Sequence, residues 1–529
     1  MSWRIRTNIV EPYMVLRQSL APLKLSRWQF TKLVVKTMLF GSLSQTLVFV
    51  AIASLILWVT FQTLFSPKGP RMPRGLPTVR RNDSHYEDVV KEGRVKHPDE
   101  PYLAVNKRHS FVIYPPLCFN ELKRLPEHTA SAKGFFHAAN YGDWSLIGTE
   151  TPSLLKTIMA DLTRSLPARV YNRQQDTRAS FEAVVGYCPD WKPFNMLMTA
   201  FEVVAQINAC SFVGRELGCN RKWVRAVMMS PLVIHVAVTL LNACPRLLRP
   251  LMKPILFLPT LKNQWDMKRL LVPTIQKDLK GFQEAPNKRE LIQPNPEGDI
   301  PFTAFLLSRY KAAEATIKQL VTDYVLVSFD STPSTASAFY HILCELAQRP
   351  EAILILRQEL DEMMVDGKLP ATHLQELKRM DSFLRESFRL HPVSLSIYRE
   401  AGQAIRGTDD PRGHHRRHRR AGHQPVPELW EDPDKFDMDR FRRLREKSDN
   451  DNRFHFLTTG SDSPGWGDGT QACPGRFFAT STLKIALAHV LLNYDVRLPE
   501  GTLPLDITPL ANGTFKPDDK ATIMFKSRT

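Results

Sequence analysis

The chain holds 529 residues, 43% of them hydrophobic, so it can bury a sizeable core. Its 71 basic and 54 acidic side chains leave a formal net charge of +17, which favours anionic lipid or an acidic protein face as partner; on charge alone, nucleic acid competes. Seven cysteines, odd in number and widely spaced, argue against a disulfide framework and suit a reducing compartment.

Residues 1–45 form a basic N-terminal segment. Residues 46–65 follow without a single charge, long enough as a helix to span a hydrocarbon core. A buried core helix is rarely apolar on every face, which favours a transmembrane helix here. A cleaved signal fits poorly, because a long segment precedes the run and no small-residue cleavage site is evident. Basic residues flank the run on both sides and fix no orientation. Residues 66–85 include Pro67, Pro70, Pro73 and Pro77, cannot continue a helix, and are predicted to form a hinge or linker.

Residues 86–529 read as one mainly α domain with small β-sheets and no internal repeat. Helical periodicity covers 153–166, 194–213, 222–242, 301–348, 351–366 and 374–390; strand signals fall at 110–114 and 521–526. Near the middle of the 301–348 run lie Asp330, Pro333, Ser334 and Thr335. Pro333 is expected to kink that helix. In 374–390, Leu377, Met380, Leu384 and Phe388 make an apolar stripe, and Glu386 and Arg389, three apart, share one face. Alone, such a pair is more often solvated surface. His391-Pro392 ends this helix, and Arg399 follows.

Residues 401–424 show no period-2 alternation, and 411–420 hold five arginines and three histidines. Three readings compete: a basic patch, a metal site on His414, His415, His418 and His423 without a specific zinc spacing, or a local shift of reading frame. Arg440 follows in the stretch Phe436-Asp-Met-Asp-Arg-Phe441.

Cys473 closes a glycine-rich loop and opens a helical run over 476–492. Pro474 suits a first helical position, where its missing N–H costs nothing. Sulfur at a helix N-terminus is favoured as thiolate, the metal-binding form; a buried structural cysteine after an ordinary turn is the plain alternative. Gly467, Gly469 and Gly475 let the backbone lie against something flat and large. Such a loop suits haem iron held by a proximal thiolate.

The spacing of Trp466, Gly469, Cys473 and Gly475 resembles the haem-binding signature of cytochrome P450 monooxygenases, and residues 213–223 resemble a stretch of fungal oxidases similar to ent-kaurene oxidase. The resemblance implies a cytochrome P450 fold with an N-terminal transmembrane helix and a haem-thiolate catalytic domain over 86–529. It implies heme b with its axial thiolate from Cys473, and a buried structural triad of Glu386, Arg389 and Arg440. Arg399 matches an arginine that reaches a haem propionate. Gln471 stands where the family often places histidine or arginine against a propionate. Ser334 or Thr335 becomes the proton-relay alcohol and Asp330 its acid, although Pro333 departs from the family's polar position there.

Electrons from NADPH are then expected through NADPH–cytochrome P450 reductase. The catalytic domain would face the cytosol from a single-pass anchor in the endoplasmic reticulum membrane, and no nucleic acid is expected as partner. The implied reaction inserts one oxygen atom from dioxygen into an apolar small molecule, a fungal terpenoid, meroterpenoid or indole alkaloid. The alternatives are a haem isomerase, dehydratase or peroxygenase, and an inactive remnant or basic membrane-tethered interaction protein.

Overall fold

The computed structural model describes residues 75–81, 86–105, 110–115, 118–284, 301–310, 316–392, 396–401, 419–422, 430–432, 435–447, 450, 453–460, 463–502, 508–509 and 515–528. The basic segment 1–45, the transmembrane helix 46–65, most of the hinge 66–85 and the four histidines of 401–424 lie outside them. Residues 244–252, with the turn Arg246–Leu248, belong to a separate small unit; the elements labelled below belong to the large unit.

The main helices of the large unit are α1 (Thr163–Val184), α2 (Met196–Gly218), α3 (Arg221–Ala243), α4 (Leu258–Glu284), α5 (Ile317–Asp330), α6 (Pro333–Ala347), α7 (Pro350–Met363), α8 (Lys378–Leu390), α9 (Arg440–Arg445) and α10 (Arg476–Asn493). α2 is apolar on nearly every face because it packs on α1, α5, α6 and α10 at once. Val203, Val204 and Ile207 of α2, Phe339 and Leu343 of α6, and Leu483 and Leu487 of α10 fill one shared core. Both α2 and α3 are long and apolar enough to cross a membrane. α2 is mostly buried in the bundle, whereas α3 buries Trp223, Val227 and Ile234 and leaves Leu232, Val236 and Leu240 exposed.

The strands are β1 (Thr78–Arg80), β2 (Tyr102–Val105), β3 (Ser110–Ile113), β4 (Ala130–Ser131), β5 (Lys192–Asn195), β6 (Ser396–Ala401), β7 (Arg419–Gly422), β8 (Tyr494–Arg497) and, past a pair of two-residue strands at Thr508–Pro509 and Phe515–Lys516, β9 (Thr522–Ser527). One sheet runs β1-β2-β3-β7-β6-β4 and another β5-β9-β8.

The expected 301–348 helix is three: Phe302–Arg309, α5 and α6. Thr316 caps α5 by accepting the Gln319 N–H at 3.2 Å. Pro333 begins α6 instead of kinking a continuous helix, so its missing N–H falls where a helix has no internal partner to lose. The 374–390 run also divides, at Leu377, into Ala371–Glu376 and α8. α4 carried no clear sequence signal; Pro273 lies inside it, yet Met267, Leu271 and Ile275 are fully buried. The segment without strand periodicity supplies β7, held by backbone pairing antiparallel to β6 and parallel to β3.

Asp381 of α8 ties three segments together. Lys484 of α10 lies 2.8 Å from Oδ1, the Phe456 N–H donates to Oδ2 at 2.8 Å, and Arg445 of α9 lies at 3.5 Å. Burial pushes its carboxyl up, but Lys484, the Phe456 N–H and Arg445 outweigh it and hold the pKa below the ordinary aspartate value. The depressed folded pKa means this contribution is present above the unfolded value of about 3.9 and is lost as pH falls through the folded one. Asp381→Asn strands Lys484 as a buried cation and should cost about 3–5 kcal/mol at neutral pH. Denaturant unfolding followed by circular dichroism should show that deficit shrinking as the wild type is titrated to acid.

Candidate active site

The Cys473 loop is shaped by its neighbours before the cysteine is reached. The Trp466 indole N–H donates to the Phe456 carbonyl at 2.8 Å, and its ring packs against Phe388 of α8 with centroids 5.0 Å apart. The Cys473 N–H then returns to the Trp466 carbonyl at 2.7 Å. Gly469 adopts φ 63°, and a Cβ there would stand 2.6 Å from the Lys123 carbonyl oxygen, so only glycine fits. Gln471 clamps the loop to β4: its amide donates to the Ala130 carbonyl and accepts the Ala132 N–H, both at 2.7 Å. The expected propionate contact is therefore not where this amide's described bonds go. Gly475 ends the turn before α10.

The sulfur of Cys473 sits at the start of α10, enclosed by the fold yet partly accessible. Burial pushes its thiol up, the Gly475 N–H and Arg476 pull it down, Asp330 raises it again, and the Arg476 N–H pulls it down. Helix-start donors thus act on the sulfur as expected, but they do not overcome burial. A metal cation is the kind of partner that does.

Glu386, Arg389 and Arg440 come together as the sequence suggested. Arg389 donates to Glu386 through Nε at 2.8 Å and Nη2 at 2.9 Å, a bidentate pair one helical turn apart. Arg440 adds Nε to the same carboxylate at 3.0 Å, and the Asp437 N–H a further bond at 3.0 Å. Arg440 also donates to the carbonyls of Glu431, Asp432 and Lys435, which gathers the chain leading toward the cysteine loop. Glu386 is wholly buried, so this arrangement carries no solvated charge on that side.

The break between α5 and α6 carries Asp330, whose charge is near enough to act on the Cys473 thiol. Asp330, the last residue of α5, keeps surface accessible at that break. Burial holds its carboxyl well above the ordinary aspartate range, and Glu150 adds to the shift. Ser334, one turn on, shares the accessible side; Thr335 is 5% exposed and turns into the core. Arg399 lies on β6 with its backbone in register with Arg419, and its side chain is outside the described residues.

Sequence reasoning missed Asp381, Ser382 and Arg385, all buried on α8. Ser382 Oγ accepts the N–H groups of Phe441 and Arg442, each at 3.1 Å, and Arg385 donates to the His455 carbonyl at 2.8 Å. Their polarity reads as a solvated face; the one signal was the density of charge beside an apolar stripe. Glu150 gave no signal.

These residues fit a haem: one thiol with backbone N–H groups aimed at it, a loop that only glycine can tighten, and an acid near enough to act on the sulfur. The family model for cytochrome P450 matches residues 224–525. The chain is 63% identical over 488 residues to cytochrome P450 monooxygenase ccsD of Aspergillus clavatus, covering 92% of this chain and 98% of the relative. It is 55% identical over 531 residues to the pyrichalasin C-18 hydroxylase of Pyricularia grisea, covering 99% of each. The solved structure of a retinoic acid-bound cyanobacterial CYP120A1 shares the fold, with TM-score 0.62, 16% identity, and coverage of 86% of this chain and 100% of that one.

The chain belongs to the cytochrome P450 family and is a monooxygenase of fungal secondary metabolism. The family works with haem on a cysteine thiolate and with electrons from NADPH passed through a reductase.

Glu386→Gln removes the charge that two buried arginines share. It should cost about 3–5 kcal/mol and strip haem from the chain, read as a reduced Soret absorbance per milligram of full-length protein.

Proposed function

We propose that Cys473 is the axial ligand of heme b and that the chain hydroxylates a saturated carbon of an apolar fungal metabolite of the pyrichalasin kind. The ligand assignment is carried by one observation: a thiol at the start of α10 with the Gly475 and Arg476 N–H groups directed at it. The substrate reading is supported by the pyrichalasin C-18 hydroxylase, which matches end to end. The terpenoid, meroterpenoid and indole-alkaloid expectations have no comparable support.

Haem, held by Cys473, would supply the centre at which dioxygen is reduced. The chain does the rest. Glu386, Arg389 and Arg440 lock the loop that presents Cys473. Ser334 is the relay alcohol, and Asp330, whose carboxyl burial and Glu150 push up, supplies it with protons from the end of α5. The accessible side favours Ser334 over Thr335 as the relay alcohol. Substrate C–H, dioxygen, NADPH and a proton give the alcohol, water and NADP+, with one oxygen atom in each of the first two. In this reading residues 46–65 anchor the chain in the endoplasmic reticulum membrane with residues 86–529 cytosolic, and the net positive charge meets the acidic face of the reductase.

Membranes holding the full chain and a reductase test both parts. The reduced carbon monoxide spectrum should show a thiolate-type Soret band that Cys473→Ser abolishes; survival of the band in that variant overturns the ligand assignment. With labelled dioxygen and a pyrichalasin-type precursor, each hydroxylated product should carry one label atom, and unlabelled product overturns monooxygenation. Asp330→Asn should lower product formed per NADPH consumed and raise the share released as hydrogen peroxide.

A further inference from the structure

A buried chain of hydrogen bonds runs through the helix bundle and ends on the broken distal helix. Ser331 is the residue that closes α5, and its carbonyl accepts the Asn208 side-chain N–H of α2 at 2.9 Å. Asn208 is 1% exposed, and its orientation is fixed by its partners: a carbonyl demands Nδ2, so Oδ1 must face the other way. There Oδ1 accepts from the Thr482 hydroxyl of α10 at 3.2 Å. Thr482 shares that hydrogen with the Phe478 carbonyl at 3.1 Å, and its oxygen in turn accepts from Arg173 of α1.

Arg173 is an unusual starting point. It is 2% exposed, lies 4.2 Å above the Phe478 ring, and has no described partner for Nε or Nη1. Burial pulls its pKa down to about 9, Arg169 one turn earlier pulls further, and Asp176 opposes them. It stays a cation at neutral pH and donates into Thr482. All three bonds point the same way, from Arg173 to Thr482 to Asn208 to the Ser331 carbonyl, so each polarises the next. Helix-end carbonyls need partners, and burial makes a missing one costly.

We infer that Asn208 is a positioning residue for oxygen chemistry: through the Ser331 carbonyl it sets the angle of the α5–α6 break, and through Thr482 it takes its own position from α10, the helix that begins just past Cys473. The inference rests on the reading that Asp330 and Ser334 face the haem, and it adds the device that aims them.

The test uses the full chain with a reductase in membranes, and carbon monoxide as probe. Asn208→Leu keeps the volume and removes the donor; Thr482→Val removes the hydroxyl and Thr482→Ser restores it. The C–O stretching frequency of the reduced carbon monoxide complex should shift in Asn208→Leu and less in Thr482→Val, and return to the wild-type value in Thr482→Ser. Loss of a hydrogen bond of about 1 kcal/mol should raise peroxide released per NADPH consumed by about fivefold.

A wild-type frequency and wild-type peroxide ratio in Asn208→Leu, with the Soret band intact, overturn the inference. If that variant holds no haem, equal frequencies in Thr482→Val and Thr482→Ser overturn it. Failure of the underlying reading looks different: Ser334→Ala then leaves the peroxide ratio unchanged, or the wild type lacks the thiolate-type band.

Discussion

One buried carboxylate organises the proximal half of this molecule. Glu386 has no access to water, so its charge must be met within the fold, and Arg389 supplies two of its four described hydrogen bonds. The remainder comes from Arg440 and the Asp437 N–H, which belong to a different stretch of chain. Because a buried charge left unmatched is costly, that distant stretch has one place to dock. Arg440 then spends its other hydrogens on the carbonyls of Glu431, Asp432 and Lys435, passing the constraint from one side chain to a whole loop. Asp381, on the same helix, repeats the device against Lys484 and the Phe456 N–H. Phe456 is also the residue whose carbonyl receives the Trp466 indole, so the two carboxylates bracket the loop that ends at Cys473.

The distal side is organised by absence of helix. Pro333 starts α6 where it loses nothing, Ser331 ends α5, and the interval between them exposes Asp330 and Ser334 while burying Thr335. A continuous helix would have satisfied its own carbonyls. The break leaves backbone to be satisfied from outside, and Asn208 does so from the central helix of the bundle. Proximal and distal halves therefore meet in α2, through polar atoms set within an otherwise apolar core.

How much of this was legible depends on the kind of signal. The cysteine loop was readable because glycine at fixed spacing has a steric cause, visible at Gly469 against the Lys123 carbonyl. Glu386, Arg389 and Arg440 were readable as a set once the motif order was seen, although charge spacing alone looks like solvated surface. Asp381, Ser382 and Arg385 were not, since their partners lie in loops with no periodicity. The division of 301–348 is not legible because apolar periodicity continues through α5 and α6 and says nothing about a bend; Pro333 stands out, but its position as first residue of a new helix depends on the Thr332 backbone. α2 reads as apolar on all sides, the pattern of a membrane span, because the same composition suits a helix surrounded by protein. Asn208 and Thr482 are ordinary polar residues in such helices, and nothing local distinguishes them.

The two carboxylates of α8 also order events in time. The helix leaves the ribosome before its cations do: Arg440 follows Glu386 by 54 residues, and Lys484 emerges later still, inside the helix that carries the sulfur at its start. A growing chain therefore holds Glu386 with Arg389 alone, and Asp381 without Lys484, until the later segments follow. The acids of α8 are thus matched in two instalments, the first local and the second dependent on chain made much later.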